Sequence, residues 1–502
     1  MMNKILNQII FFSITGFIIS CQNISVNEKK PNIILIVADD LGWSDLSYMG
    51  SNFYETPNID KLSKNGMTFY NGYASSANCA PSRATMLTGK YHPYHGIYTV
   101  RNSDRGNRKT RKVIPIETKT KLDLEHFIIP EMLRSEGYVT GHFGKWHMGP
   151  KGYYPEQMGF DVNIGGNEHG GPGSYFAPYT NVNNNLKTDP DEKYLTDRLG
   201  SEVIKFIDDN SDKKFFAYVP FFSVHTPIQS KPDYEKKYKV KGGNEFHHRA
   251  DYAGMIQSLD ENIGKILKKI EDLNISDNTL IIFTSDNGGI RSISNQHPLR
   301  AGKGSYYEGG IRVPLVFNWP EKIKPESKSY ERVSNIDFFP TLKKIVGYNK
   351  EMDLDGEDLT LIFEGKKLNK RELYFHFPIY LEPYNVHKDS GTDPLFRTRP
   401  GSVIIKDNWK LHKYYEDNKI ELYNLTNDIS ESTNLIESNK EKANELLKNL
   451  DNWIKTSNAP LPTKTNPLYD QKHVDSLMYL IQNNKVFGKV NKNEARSDLN
   501  PF

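Results

Sequence analysis

The feature that most constrains the fold is the run Ile33-Ile34-Leu35-Ile36-Val37, apolar at every position and mostly β-branched. A strand with one wet face alternates apolar and polar residues. An unbroken run therefore implies burial on both faces, as in a mostly parallel sheet covered by helices. Phe215 to Val224 and Leu280-Ile281-Ile282-Phe283 read the same way. Helical patterns lie between them, the clearest from Asp251 to Leu273, with Ile256, Leu259, Ile263, Ile266, Leu267 and Ile270 at helical spacing. The expectation is an α/β sandwich from Pro31 to about Gly347. Polar residues follow each strand: Asp39 and Asp40, then His225, then Asp286 and Asn287. In open α/β sheets the ligand crevice lies beyond the carboxyl ends of the strands. Three distant segments are thus expected to meet at one place.

The pattern changes near Tyr348. Glu372 to Phe377, Ser402 to Ile405 and Trp409 to Tyr415 read as short strands, and about Ser438 to Thr456 as a helix. Residues 348–460 are expected to form a smaller antiparallel sheet with a helix packed on it, beside a catalytic domain at 31–347. Residues 461–502 read as a polar tail with one helical stretch at Asp470 to Gln482. No internal repeat is visible. The 502 residues are ample for a large core with an appended module. Negative mean hydropathy and the lack of long apolar runs exclude a polytopic membrane protein. Aromatic residues at 12% argue against disorder. A net charge of only +3, from 65 basic and 62 acidic residues, does not announce a nucleic-acid partner.

Met1 to Ser20 read as an export signal, with Lys4 as the positive region and Ile9 to Ile19 as the apolar stretch. Ile18-Ile19-Ser20-Cys21 resembles a bacterial lipobox, and residues 21–30 then form a polar tether. The expectation is a lipoprotein held on a membrane surface, at the outer membrane or the periplasmic face, through a lipidated Cys21. The alternative is an ordinary cleaved signal with an incidental cysteine. Of the two cysteines in the chain, Cys79 is then left without a partner.

Cys79-Ala80-Pro81-Ser82-Arg83 continues into Ala84-Thr85-Met86-Leu87-Thr88-Gly89. A cysteine at a helix start sits at the positive end of the helix dipole, which favours an anionic substrate and a low thiol pKa. Arg83, one turn on, can face the same point. The alternative is a buried structural cysteine at an N-terminal turn.

This segment resembles the signature of the type I sulfatases, whose cysteine is oxidised after translation to Cα-formylglycine by a formylglycine-generating enzyme. Gly141-His142-Phe143-Gly144-Lys145-Trp146-His147 resembles the family's second signature. Val224-His225-Thr226-Pro227 and Gly302-Lys303-Gly304 match further family positions. The resemblance runs on through Asp355-Gly356 to Glu421-Leu422-Tyr423-Asn424-Leu425. It implies the alkaline-phosphatase-like sulfatase fold, and Cys79, Arg83, Lys145, His147, His225 and Lys303 as catalytic residues. It also implies a metal held by Asp39, Asp40, Asp286, Asn287 and the modified Cys79. That all-oxygen set suits Ca²⁺, with Mg²⁺ the less favoured occupant, and no His/Cys cluster offers a zinc site. The implied chemistry is sulfate-ester hydrolysis: one hydroxyl of the hydrated aldehyde attacks sulfur, and collapse of the diol expels sulfate.

For the substrate, the expectation is a sulfated polysaccharide or oligosaccharide, algal by preference, with ulvan placed ahead of carrageenan and animal glycosaminoglycan left open. The basic segment 101–121, with Arg101, Arg105, Arg108, Lys109, Arg111, Lys112, Lys119 and Lys121, either rims the pocket or is a solvated loop. His376, Arg397 and Arg399 either contact sugar or join the two domains. Two competing functions remain: a phosphate or phosphonate ester hydrolase of the same superfamily, and a non-catalytic glycan-binding lipoprotein.

Overall fold

A computed structural model describes residues 30–483. The expected export signal, Cys21 and most of the tether lie outside the described residues. Fourteen strands are present among the described residues: β1 (Asn32–Ala38), β2 (Met67–Phe69), β3 (Gly72–Tyr73), β4 (Val139–Phe143), β5 (Val162–Ile164), β6 (Phe215–Pro220), β7 (Thr279–Ser285), β8 (Leu315–Asn318), β9 (Ser327–Ser329), β10 (Val333–Ser334), β11 (Glu372–Phe377), β12 (Gly401–Lys406), β13 (Trp409–Tyr414) and β14 (Ile420–Asn424).

The large sheet runs β5-β4-β6-β1-β7-β8-β2-β9. Its left half through β7 is parallel, and β8 is antiparallel to both of its neighbours. Central β1 shows why the apolar run is continuous. Ile34, Ile36 and Ala38 enter one core, with the helices Leu195–Asp209 and Ala250–Asp272. Ile33, Leu35 and Val37 enter the other, with the helices Cys79–Thr88, Ile129–Ser135 and Phe338–Ile345. Both faces are dry, so neither tolerates a polar residue.

The register aligns the strand ends. Val37 pairs with both Pro220 and Thr284, and Ala38 with Ser285, so β1, β6 and β7 stop at one edge. The expected strand Phe215 to Val224 stops early, at Pro220. The chain then crosses toward β1. Ser223 accepts from the Asp39 N–H, and the Val224 N–H donates to the Asp39 carbonyl, both at 2.8 Å. This crossing carries His225 to the end of β1.

The second sheet is β11-β12-β13-β14, all antiparallel. β14 was not read as a strand from the sequence. Ile404, Leu411 and Leu422 face the Lys440–Thr456 helix. Leu373, Phe375, Val403 and Ile405 face the catalytic domain through Tyr73, Tyr306 and Ile311. The segment expected as a polar tail is docked over its described part. Ile114 donates to Lys464, Asn466 to Lys112 and Asp470 to Lys109 along the main chain. Leu477 and Ile481 of the Gln471–Gln482 helix then pack on Tyr380, Leu395 and Phe396. Two buried apolar side chains outweigh the polar composition of that segment.

A buried charge cluster joins the two sheets. Lys410 of β13 lies 3.0 Å from Glu308 and 2.9 Å from Glu431, all three side chains being fully buried. Burial raises the Glu431 carboxyl to about 7 despite Lys410, with Glu308 adding to the rise. Replacing Lys410 by Met leaves Glu431 buried without its cation and Glu308 with Arg312 alone, at 3.4 Å, a loss of about 3–5 kcal/mol. Denaturant unfolding should show that loss for Lys410→Met. Adding Glu431→Gln, with Glu308 still paired to Arg312, should recover most of it.

Candidate active site

Asp39 and Asp40 leave the end of β1, and Asp40 takes the left-handed conformation, φ +63°. Non-glycine residues seldom hold it unless the surroundings fix them. Here the Asp40 N–H donates to Asp286 Oδ1 at 3.2 Å and the Leu41 N–H to Ser285 Oγ at 3.1 Å, tying β1 to β7 just past the sheet.

Cys79 opens the Cys79–Thr88 helix, which is buried along its whole length. Its Sγ lies 3.6 Å from Asp39 Oδ1 and 3.9 Å from Asp40 Oδ1. The low thiol pKa expected from the helix dipole is not found. Burial pushes the thiol up to about 12, over the opposing pull of Lys145 and Lys303, with Asp286 and Asp39 adding to the rise. Desolvation and neighbouring carboxylates outweigh a helix end. Cys79 is therefore a neutral thiol here, not a ready nucleophile. Arg83 reaches the same point, where it is already engaged. Its Nε lies 2.9 Å from Asp286 Oδ2, and Nη1 donates to the Lys145 carbonyl at 3.1 Å.

Lys145 follows β4 through Gly144, at φ +125°. A Cβ at Gly144 would sit 2.2 Å from the Pro220 carbonyl oxygen, so only glycine passes there. Lys145 Nζ is 2.7 Å from Asp39 Oδ2, and Lys303 Nζ is 2.7 Å from Asp40 Oδ1. Burial raises Asp39 above the usual carboxylate range, with Lys145 opposing and Asp286 and Asp40 reinforcing the rise. Burial also works to raise Asp40, but Lys303 and His225 hold it well below that range. The Gly304 N–H donates to the Ala77 carbonyl at 2.8 Å, strapping the Lys303 turn to the segment before Cys79.

His147 and His225 are the two partly exposed members of the set, so they stand at its opening. His225 Nε2 is 3.7 Å from Asp40 Oδ2, and Nδ1 is 2.7 Å from the Thr226 carbonyl. Burial, then Lys303, lowers the His225 pKa to about 3. His147 has φ +62° and a buried Nδ1 without a partner. Sequence reasoning missed the loop behind both rings. A Cβ at Gly170 would meet the His147 ring at 2.4 Å, and one at Gly171 the His225 ring at 2.6 Å. The glycines of His169-Gly170-Gly171-Pro172-Gly173 were the available signal.

Asn287 completes the group. Its Nδ2 donates to Asp40 Oδ1 at 2.8 Å, while its Oδ1 is buried with no partner. A buried amide oxygen without a donor asks for a ligand. One ligand atom each from Asp39, Asp40, Cys79 and Asp286 lies within 4.8 Å of the others. Three carboxylates and an orphaned amide oxygen fit a hard divalent cation.

The residues weighed for sugar contact separate. His376 is buried, with Nδ1 2.8 Å from Ser402 Oγ and Nε2 3.0 Å from the Pro460 carbonyl. Arg399 is held by Asp393 and Glu416. Arg397 is buried and donates to the Lys303 carbonyl at 2.8 Å, so it joins the domains at the site itself. Much of the basic segment is likewise engaged: Arg105 with Glu382, Arg108 and Arg111 with Asp104, and Lys119 with Asp123.

Lysines aimed at one buried centre, with oxygen donors for a cation behind it, suit a hydrolase of anionic esters such as phosphates or sulfates. Comparison with known proteins narrows that class. The family model described as Sulfatase matches residues 31–348, and one described as N-sulphoglucosamine sulphohydrolase, C-terminal, matches residues 302–459. A sulfatase of Formosa agariphila is 35% identical, over 91% of this chain and 95% of its own length. N-acetylgalactosamine-6-sulfatase of Canis lupus familiaris is 32% identical, over 74% of each chain. The crystal structure of Ps i-CgsB in complex with k-i-k-neocarrahexaose aligns with a TM-score of 0.71 and 28% identity, over 92% of this chain and all of that one. The chain belongs to the sulfatase family and is a sulfuric ester hydrolase.

Asp286→Asn keeps the side-chain shape and removes one carboxylate. Divalent-cation content after dialysis, read by elemental mass spectrometry, should fall by about tenfold or more, since even outer-shell changes reach that scale. Undiminished content would take Asp286 off the ligand set.

Proposed function

We propose that this sulfatase removes sulfate from a sulfated polysaccharide or oligosaccharide, using a Cα-formylglycine made from Cys79. The carrying observation is the placement of Cys79 Sγ between the carboxylates of Asp39 and Asp40, each of which holds a lysine. A neutral buried thiol is a poor nucleophile, so conversion of Cys79 to an aldehyde, whose hydrate supplies an attacking hydroxyl, gives the position its chemistry. A cation held by Asp39, Asp40, Asp286 and Asn287, Ca²⁺ ahead of Mg²⁺, would supply positive charge to the sulfate oxygens.

The chain's own residues do the rest. Lys145 and Lys303 approach the centre from opposite carboxylates and bracket an anionic group. Arg83 orients Asp286 and, through its bond to the Lys145 carbonyl, the lysine turn. His225 stands at the opening, where a leaving alcohol passes, and is assigned to protonate it once the negative charge of a bound sulfate ester raises its pKa from about 3. His147, the other partly exposed ring, is assigned to the hydroxyls formed at position 79.

The glycan reading draws support from the N-acetylgalactosamine-6-sulfatases among the relatives and from the neocarrahexaose complex. Among algal polymers we place ulvan first. Carrageenan is the second reading, favoured by that complex. A phosphonate monoester hydrolase of Agrobacterium radiobacter shares the fold at 21% identity and a TM-score of 0.61, which leaves aryl phosphate as a control substrate. We also propose that Cys21 is lipidated and tethers the exported enzyme to a membrane surface. Among the described residues no helix is long and apolar enough to cross one.

Protein made with a formylglycine-generating enzyme should release sulfate from at least one member of a panel of ulvan, carrageenan and glycosaminoglycan oligosaccharides. Cys79→Ala should release none, and turnover retained in that variant would overturn the nucleophile. His225→Ala should slow sugar sulfates by about 10²-fold or more, the range for general acid catalysis. Aryl sulfates with acidic leaving groups should be much less affected; equal losses on both would remove His225 from the proton-donor role. Cys21→Ser should move the protein from the membrane fraction to the soluble one. Unchanged membrane association would refute the anchor.

A further inference from the structure

Residues 378–400, between β11 and β12, return from the small sheet to the catalytic domain. Arg397 is the anchor. Its Nη1 donates to the Lys303 carbonyl at 2.8 Å and its Nε to the Glu382 carbonyl at 2.7 Å. It gains entry because residue 304 is glycine: a Cβ there would lie 2.4 Å from Arg397 Nη1. Glu382 is held in turn by a two-pronged contact from Arg105, with Nη2 at 2.7 Å and Nε at 3.1 Å.

One aromatic ring rests on this anchor. The Arg397 guanidinium lies 3.7 Å from the centre of the Tyr384 ring. The tyrosine is nevertheless 48% exposed. Its turn is fixed from behind, because the N–H groups of Tyr384 and Asn385 both donate to Asp389 Oδ2. A large ring held rigid against a buried guanidinium, yet left half open to water, contributes less to core packing than a buried one would. Through Arg397, which bonds the Lys303 carbonyl, the ring is tied to the turn that carries one of the sulfate-bracketing lysines.

We propose that Tyr384, stacked on Arg397, is the platform that receives a sugar ring of the substrate, either the ring bearing the ester or the one next to it. Pyranose rings present apolar C–H faces between their hydroxyls, and a rigid aromatic face beside a few fixed polar groups is the chemistry that holds them. Arg397 is a positioning residue in this scheme. It orients Tyr384 by stacking and Lys303 through its carbonyl, so sugar recognition and sulfate binding share one support. The proposal rests on the glycan reading given above.

The test uses the oligosaccharide from the panel that the wild-type enzyme hydrolyses. Tyr384→Ala should raise its KM about tenfold, or about 1.4 kcal/mol. Inhibition by inorganic sulfate, which has no sugar, should stay within about twofold, and Tyr384→Phe should behave like wild type because the ring is what matters. Melting temperatures of the variants monitor folding. An unchanged KM in Tyr384→Ala overturns the platform. A parallel loss of sulfate inhibition also overturns it, because Tyr384 would then serve only the anion pocket. Wild-type enzyme that hydrolyses aryl sulfate but no glycan overturns the glycan reading and the platform with it.

Discussion

Everything at the site depends on three carboxylates brought together without water. Asp39, Asp40 and Asp286 converge because β1 and β7 end in register, and no aspartate among them is exposed. Three negative charges in so small a volume repel strongly unless matched. Arg83, Lys145 and Lys303 match them one for one, each by direct contact. The protein alone is thus near neutrality at this point. A divalent cation added to the group would leave an excess of positive charge, the condition in which an anionic ester is drawn in and held.

Neutrality also explains the architecture around the centre. Each cation arrives on a different part of the chain, so each needs its own support. Arg83 comes from the buried helix, Lys145 from a glycine passage past Pro220, and Lys303 from a turn bonded to Ala77 and Arg397. The small sheet is therefore more than an appendage. Through Arg397 it fixes a site residue, and through Lys410 it shares buried charge with Glu308 of the catalytic domain.

Much of this was legible in the sequence because it follows from local rules. A short continuous run, mostly β-branched, suits a strand dry on both faces, so Ile33 to Val37 located the centre of the sheet. Polar residues after such strands named the group that the fold gathers, and the signature around Cys79 and Lys145 pointed to the sulfatase family that the comparisons show. What was not legible depended on distant partners. The bend after Pro220 is set by hydrogen bonds to Asp39. Whether Arg397 contacts sugar or joins the domains is open in the sequence until the missing Cβ of Gly304 is seen to admit it. The acidity of Cys79 was misjudged because the helix end is visible in sequence, while burial and the facing aspartates are not. The docking of residues 461–483 likewise depends on Tyr380 and Phe396, far away in the chain.

The burial of Cys79 has a consequence for the order of events in making the enzyme. Only 1% of this residue is exposed in the folded chain. The residues on either side of it are tied down from far downstream: Gly304 bonds the Ala77 carbonyl, and Asn335 Nδ2 donates to Ser82 Oγ at 2.9 Å across 253 positions. If Cys79 is converted to formylglycine as proposed, the converting enzyme cannot act on the finished protein. It must meet the segment while the chain that will seal it is still unfolded or not yet made. The long sequence separation between the cysteine and its lid is what keeps that interval open.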